Sequence, residues 1–135
     1  MMSNLSTVSK RFGEVVVVNT TPHPITFDFQ GNLEIIQSDK DWLINARVEE
    51  QPVGDSGLFV KSNFVPAPDG WGKIKSIEDW FATNPDYEGC TLVIIGSIIA
   101  AQAYPGRVFG MTPAPGYERV APSEKRMRVD KFTTF

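Results

Sequence analysis

Two apolar segments far apart in the chain constrain its fold most. The first is Val15-Val-Val-Val-Asn-Thr-Thr-Pro-His-Pro-Ile-Thr-Phe27. The second is Thr91-Leu-Val-Ile-Ile-Gly-Ser-Ile-Ile-Ala-Ala-Gln-Ala-Tyr-Pro-Gly-Arg107. The first reads as a buried strand, a turn locked by two prolines that fix φ and remove ladder donors, and a second strand. The second reads as a strand apolar on both faces, hence central, running into a short helix capped by Ser97 and stopped by Pro105. From Ile98 to Tyr104 only Gln102 is clearly polar, which predicts a helix buried all round. A lone buried helix must be surrounded, so the expected architecture is α+β: an antiparallel sheet curled around one central helix.

The rest of the chain is read around that core. Residues 1–13 are polar and non-periodic, which predicts a loose arm; 14–135 form one ligand-binding domain, as 135 residues suggest. Strands are expected at 14–19, 25–29, 33–37 and 42–48, with another beginning at Leu58-Phe-Val60. Ser76-Ile-Glu-Asp79 is a capping box, and Ile77, Trp80 and Phe81 continue at helical spacing until Asn84-Pro85, giving a short extra helix. Beyond Arg107 the chain is punctuated by Pro113, Pro115 and Gly116. It then alternates over 126–131 and ends in Phe132 and Phe135, an extended C-terminal strand or arm.

Several function classes are disfavoured at this stage. Cys90 is the only cysteine and sits at a strand entrance, so no internal disulfide forms and a structural thiol is expected. No run reaches the ~20 apolar residues of a membrane span, and the N-terminus lacks a signal core, so a cytoplasmic location is expected. Phosphate loops, dinucleotide fingerprints and nucleophile elbows are missing, and one histidine with one cysteine makes a poor metal set. No catalytic residue, metal or cofactor is expected. The net charge of −3 hides an asymmetry: residues 28–88 hold twelve acids and five bases, residues 89–135 three acids and six bases. Such a chain is a poor ligand for a nucleic-acid polymer, yet a local basic pocket can hold a small anion. Arg107, Arg119 and Arg128 are the candidates for phosphates and Phe109 for stacking on a base, with Thr21 and rigidly held His23 as further pocket residues.

Val18-Asn-Thr-Thr-Pro-His-Pro-Ile-Thr-Phe27 and Val93-Ile-Ile-Gly-Ser-Ile-Ile-Ala-Ala-Gln-Ala-Tyr-Pro-Gly-Arg107 together resemble the first type of Thoeris anti-defence protein, a phage family of nucleotide sponges. The resemblance covers residues 15–37 and 91–113. It implies a sheet folded around one helix, and a homodimer or higher oligomer with pockets at subunit junctions. The implied ligand is a cyclic ADP-ribose isomer, or a cyclic oligonucleotide, held without cleavage. Residues 66–88 are longer than that pattern and are read as an insertion. Two other classes stay open: a small phosphodiesterase or glycohydrolase with His23 as base, and a phage accessory or assembly protein using its spare apolar tail.

Overall fold

The computed structural model describes residues 3–135. Met1 and Met2, the start of the expected arm, lie outside them. Strands take 40% of the chain and helices 24%. The two expected apolar strands, β2 (Val15–Asn19) and β7 (Thr91–Ile95), are densely β-branched and largely buried, and they pair with each other. They run parallel, with Val17 opposite Val93. On one side β2 carries β1 (Ser9–Phe12), antiparallel. On the other, β7 pairs in parallel with β8 (Val108–Pro113), and β8 pairs antiparallel with β9 (Met127–Thr133). β9 then meets β3 (Ile25–Phe29) in parallel, and β3 forms a hairpin with β4 (Asn32–Ile36).

This seven-stranded mixed sheet curls until it nearly closes. Its two edges come together: Lys10 of β1 reaches Glu34 of β4 at 2.6 Å. Phe12 sits edge-on to Phe29, ring centroids 5.4 Å apart. Period-two alternation sends the side chains of the central strands to two separate cores. Val17, Val93 and Ile95 join Phe12, Phe27 and Ile36 in a cluster drawn from the strands alone, which fills the curl. Val18 and Ile94 face outward, onto Trp42, Ile44, Ile74, Ile77 and Tyr104.

The expected sheet curled around a central helix is therefore corrected. The curl encloses strand side chains, and both helices lie outside it, on the second core. Parallel joins replace the all-antiparallel sheet, because β2, β7 and β8 are linked by long crossovers rather than hairpins. The helix after β7, α2 (Ile98–Ala103), is capped by Ser97 as its sequence suggests, Oγ accepting from the Ala100 amide at 3.1 Å. It is not buried all round: Ala100, Ala101, Ala103 and Tyr104 face the core, while Ile98 and Ile99 are 49% and 44% exposed. The other helix, α1 (Gly70–Ala82), is the longer of the two and starts six residues before Ser76, which is exposed at mid-helix. Its buried Ile74 and Ile77 set the face, and Lys73 bridges back to Asp69 at 3.0 Å.

Three further segments differ from expectation. Within the stretch read as a loose arm, Leu5, Val8 and Phe12 are buried and β1 is an edge strand. Trp42 ends a 3₁₀ turn, its indole N–H donating to the Ser3 carbonyl, and β5 (Ala46–Val53) begins only after Asn45. β5 pairs with β6 (Phe59–Pro66) in a hairpin belonging to no other sheet. Of the C-terminal strand or arm expected, the structure shows the strand and no extended arm: β9 lies inside the sheet, and Met127, Val129 and Phe132 pack on the interior cluster.

Candidate functional site

Between β8 and β9 the chain leaves the sheet over 114–126 and returns, the Ala114 amide donating to the Arg126 carbonyl at 2.7 Å. This excursion leans over the outer face of the β3–β4 hairpin. A groove of about 490 Å³ lies between them, its lining including the apolar Leu33 and Ile35, the aromatic Tyr117, the cations Lys125 and Arg126 and one carboxylate, Glu124. Leu33 and Ile35 give it an apolar floor. The Arg126 guanidinium lies 4.6 Å from the centre of the Tyr117 ring, a cation–π contact that holds both side chains. Among the described residues, neither Lys125 nor Arg126 has a carboxylate within ion-pair distance. On the other side of the 3₁₀ turn Pro122–Glu124 is a smaller hollow of about 250 Å³, lined by His23, Pro24 and Met127. Thr26, Ser123 and Lys125 border both.

The six residues singled out from sequence do not converge. Arg107 lies on the helical side, forked onto Glu78 and 5.4 Å from the centre of the Trp71 ring. Donating to the Glu78 carboxylate holds its guanidinium above the usual range. Arg128 is forked onto Asp130 at 2.7 and 3.0 Å, which raises the arginine and lowers the carboxyl. Both guanidiniums thus already hold a carboxylate. Phe109 packs against the interior cluster. Arg119 is exposed on the excursion.

Thr21 is buried and internally committed, its hydroxyl between Asn19 Oδ1 at 2.7 Å and the His23 carbonyl at 2.8 Å. The Asn-Thr-Thr-Pro-His-Pro stretch is a structural knot. Asn19 Nδ2 donates to the carbonyls of His23, Ile36 and Gln37, and Thr20 Oγ1 donates to that of Ile95 at 2.7 Å. Its role in a site is limited to the His23 ring, which is exposed beside the smaller hollow.

Lys125 and the apolar floor were not singled out from sequence, and Arg126, one of the basic C-terminal arginines, was not among the residues chosen for the site. Their signal was present: Lys125-Arg126 is an adjacent basic pair, and Leu33 and Ile35 alternate with a strand whose other face ends in buried Ile36. No group of three or more His, Cys, Asp or Glu residues capable of holding a metal occurs among the described residues. No helix among them is long and apolar enough to cross a membrane. No protein-family model, curated protein or solved structure matches this chain.

Proposed function

We propose that this chain binds and sequesters a cyclic nucleotide signal in the Lys125–Arg126 groove, as a phage immune-evasion sponge that leaves its ligand intact. The observation that carries the reading is the pair of cations without carboxylate partners, beside an aromatic ring and above an apolar floor. A cyclic nucleotide combines phosphates with a flat base. Phosphates suit an arginine fork and a lysine point charge, and the base suits Tyr117 and the Leu33/Ile35 floor. The groove volume falls within the range of small-molecule sites. Two of its walls, β3 and β4, belong to the segment whose sequence resembles the Thoeris anti-defence sponges, which narrows the ligand class to cyclic ADP-ribose isomers and cyclic oligonucleotides. Sequestration needs affinity and enclosure, without any group matched to a transition state.

Calorimetry against a panel of those ligands tests the reading. Wild-type protein is expected to bind one class, and Arg126→Ala to weaken it by about 1–3 kcal/mol, or 5- to 150-fold, for loss of a charge-assisted contact. Lys125→Ala should weaken it in the same direction. Affinity unchanged in both variants removes the groove, and loss in Arg107→Ala instead moves the site to the helical side. Mass analysis of ligand released by heat separates binding from turnover. A shifted mass that returns to the intact value in His23→Ala would install the hydrolase reading.

A further inference from the structure

A second hollow, of about 530 Å³, shares no residue with the Lys125–Arg126 groove. It lies where α1 ends, against the 3₁₀ turn Pro85–Tyr87 and the approach to β7, and its lining includes Phe81, Thr83, Asn84, Tyr87, Glu88 and Cys90. The Phe81 and Tyr87 rings are near-parallel, 17° apart with centroids at 5.8 Å. Trp80 meets Tyr87 edge-on at 5.4 Å and steadies the stack. Two of the polar side chains are already committed. Asn84 Oδ1 accepts from the Asp86 amide at 3.0 Å, and the Thr83 hydroxyl donates to the Asp79 carbonyl at 2.8 Å. Glu88 is different: it is exposed, and among the described residues no cation lies within ion-pair distance of it. The surroundings carry one sign of charge. No lysine or arginine occurs between Lys75 and Arg107, and those two are held by Asp79 and Glu78. Arg11 reaches the turn but is spent on the carbonyls of Gly13 and Asp86, each at 2.7 Å. α1 ends here on the negative pole of its dipole, and its last turn holds no basic residue to offset it.

We propose that this hollow binds a guanidinium, stacked on the Phe81–Tyr87 rings and forked onto the Glu88 carboxylate. A carboxylate without a partner, an uncompensated helix C-terminus and a pair of aromatic rings each favour a cation. The rings and the room choose which cation. A guanidinium is flat and weakly hydrated, stacks on aromatic faces and presents donors in a fork that matches a carboxylate, whereas an ammonium is a compact, strongly hydrated point charge. The volume falls within the range of small-molecule sites. A metal ion is a poorer occupant, because the hollow offers one free carboxylate and the described residues hold no group of three ligating side chains. The chain already contains the arrangement once with its own side chains: Arg107 lies 5.4 Å from the centre of the Trp71 ring while forked onto Glu78. At the end of α1 the rings and the carboxylate are present and the guanidinium comes from outside. The site is independent of the anion groove, and neither reading rests on the other.

Cys90 supplies the readout. It is the only cysteine of the chain, half-buried and part of the lining, so its alkylation by neutral iodoacetamide reports whether the hollow is occupied. Butylguanidine presents the group as a small ligand and N-acetylarginine amide presents it as a chain would; butylamine is the ammonium control. At millimolar concentration one or both guanidiniums are expected to slow alkylation several-fold and saturably, with butylamine far less effective. Protection by butylguanidine alone marks a small ligand, and protection by both admits an arginine side chain. Glu88→Gln, a change at an exposed residue, should keep the wild-type Tm and weaken the protection about tenfold. Phe81→Leu, which keeps the apolar bulk but not the ring, should weaken it about two- to fivefold. Alkylation unmoved by either guanidinium overturns the proposal. So does protection that persists undiminished in Glu88→Gln, or that butylamine matches.

Discussion

Asn19→Ala is expected to destabilise the protein by about 3–5 kcal/mol, lowering Tm by roughly 10–20 °C. Asn19 is fully buried at the end of β2. Its Nδ2 shares two protons among the carbonyls of His23 at 2.9 Å, Ile36 at 3.2 Å and Gln37 at 3.2 Å. Its Oδ1 accepts from the Thr21 amide at 2.9 Å and the Thr21 hydroxyl at 2.7 Å. One side chain thus ties the end of β2 to the start of β3 and the end of β4, on the seam where the sheet nearly closes. Alanine leaves several buried polar groups unpaired together, and each such group costs about 1–3 kcal/mol. Asn19→Asp should be at least as damaging at neutral pH, because it keeps the acceptor but points an anionic oxygen at three carbonyls. His23→Ala is the control: its ring is exposed, so a change within about 0.5 kcal/mol is expected. Thermal unfolding of the three variants reads this directly. An Asn19→Ala protein melting within a degree or two of wild type would mean that water replaces the side chain, and the knot would lose its structural meaning.

That knot shows what the sequence discloses and what it withholds. Thr91–Ile95 was readable to the residue, because five consecutive strand formers stand between Gly89-Cys90 and a glycine. The strand at 25–29 was equally readable and the one expected at 14–19 starts one residue later, at Val15, both being bounded by the Pro-His-Pro turn. Their partners were not. Parallel pairing of β2 with β7, and of β9 with β3, joins residues far apart in the chain, and periodicity carries no information on who pairs with whom. β8 hid behind Gly110 and Pro113, residues that ordinarily mark loops. The start of α1 hid behind Gly70 and Gly72 for the same reason, while Ser76 offered a false cap. The candidate groove was the least readable element. Lys125 and Arg126 reach Leu33 and Ile35 only because β9 inserts beside β3, a consequence of topology. Sequence reasoning weighted arginines by position in the tail, and the structure shows two of those chosen already forked onto carboxylates.

The second large effect is expected at Tyr104, just past α2. Its ring is fully buried, and its hydroxyl accepts from the Ala67 amide at 3.0 Å. Its proton is shared between the carbonyls of Asn45 at 3.2 Å and Ala67 at 3.3 Å. Asn45 precedes β5 and Ala67 follows β6, so one phenol clasps both ends of the β5–β6 hairpin at its root. Tyr104→Phe should cost about 1–3 kcal/mol by orphaning those groups, and Tyr104→Ala about 3–5 kcal/mol by adding a cavity. Desolvation, with a smaller push from the Asp69 charge, raises the phenol above its ordinary 10.0, against the Ala67 amide bond that lowers it. Because the folded value is the higher one, this contribution is intact below about pH 10 and declines as pH rises through the folded value. Tyr104→Phe should therefore flatten the alkaline loss of stability relative to wild type. Gly70 provides the second half of the test. A Cβ there would stand 1.7 Å from the Tyr104 hydroxyl oxygen and 2.4 Å from the ring carbon that bears it. Gly70→Ala must therefore displace either the first turn of α1 or the phenol, at a cost of about 1–3 kcal/mol or more. In a Tyr104→Ala background the three atoms nearest that Cβ are gone, and the same substitution should be nearly neutral or slightly stabilising, since alanine is the better helix former. Chemical denaturation of the four proteins gives the coupling. Additive losses would show that Gly70 and Tyr104 do not share one site, and the clasp on the hairpin would have to be sought elsewhere.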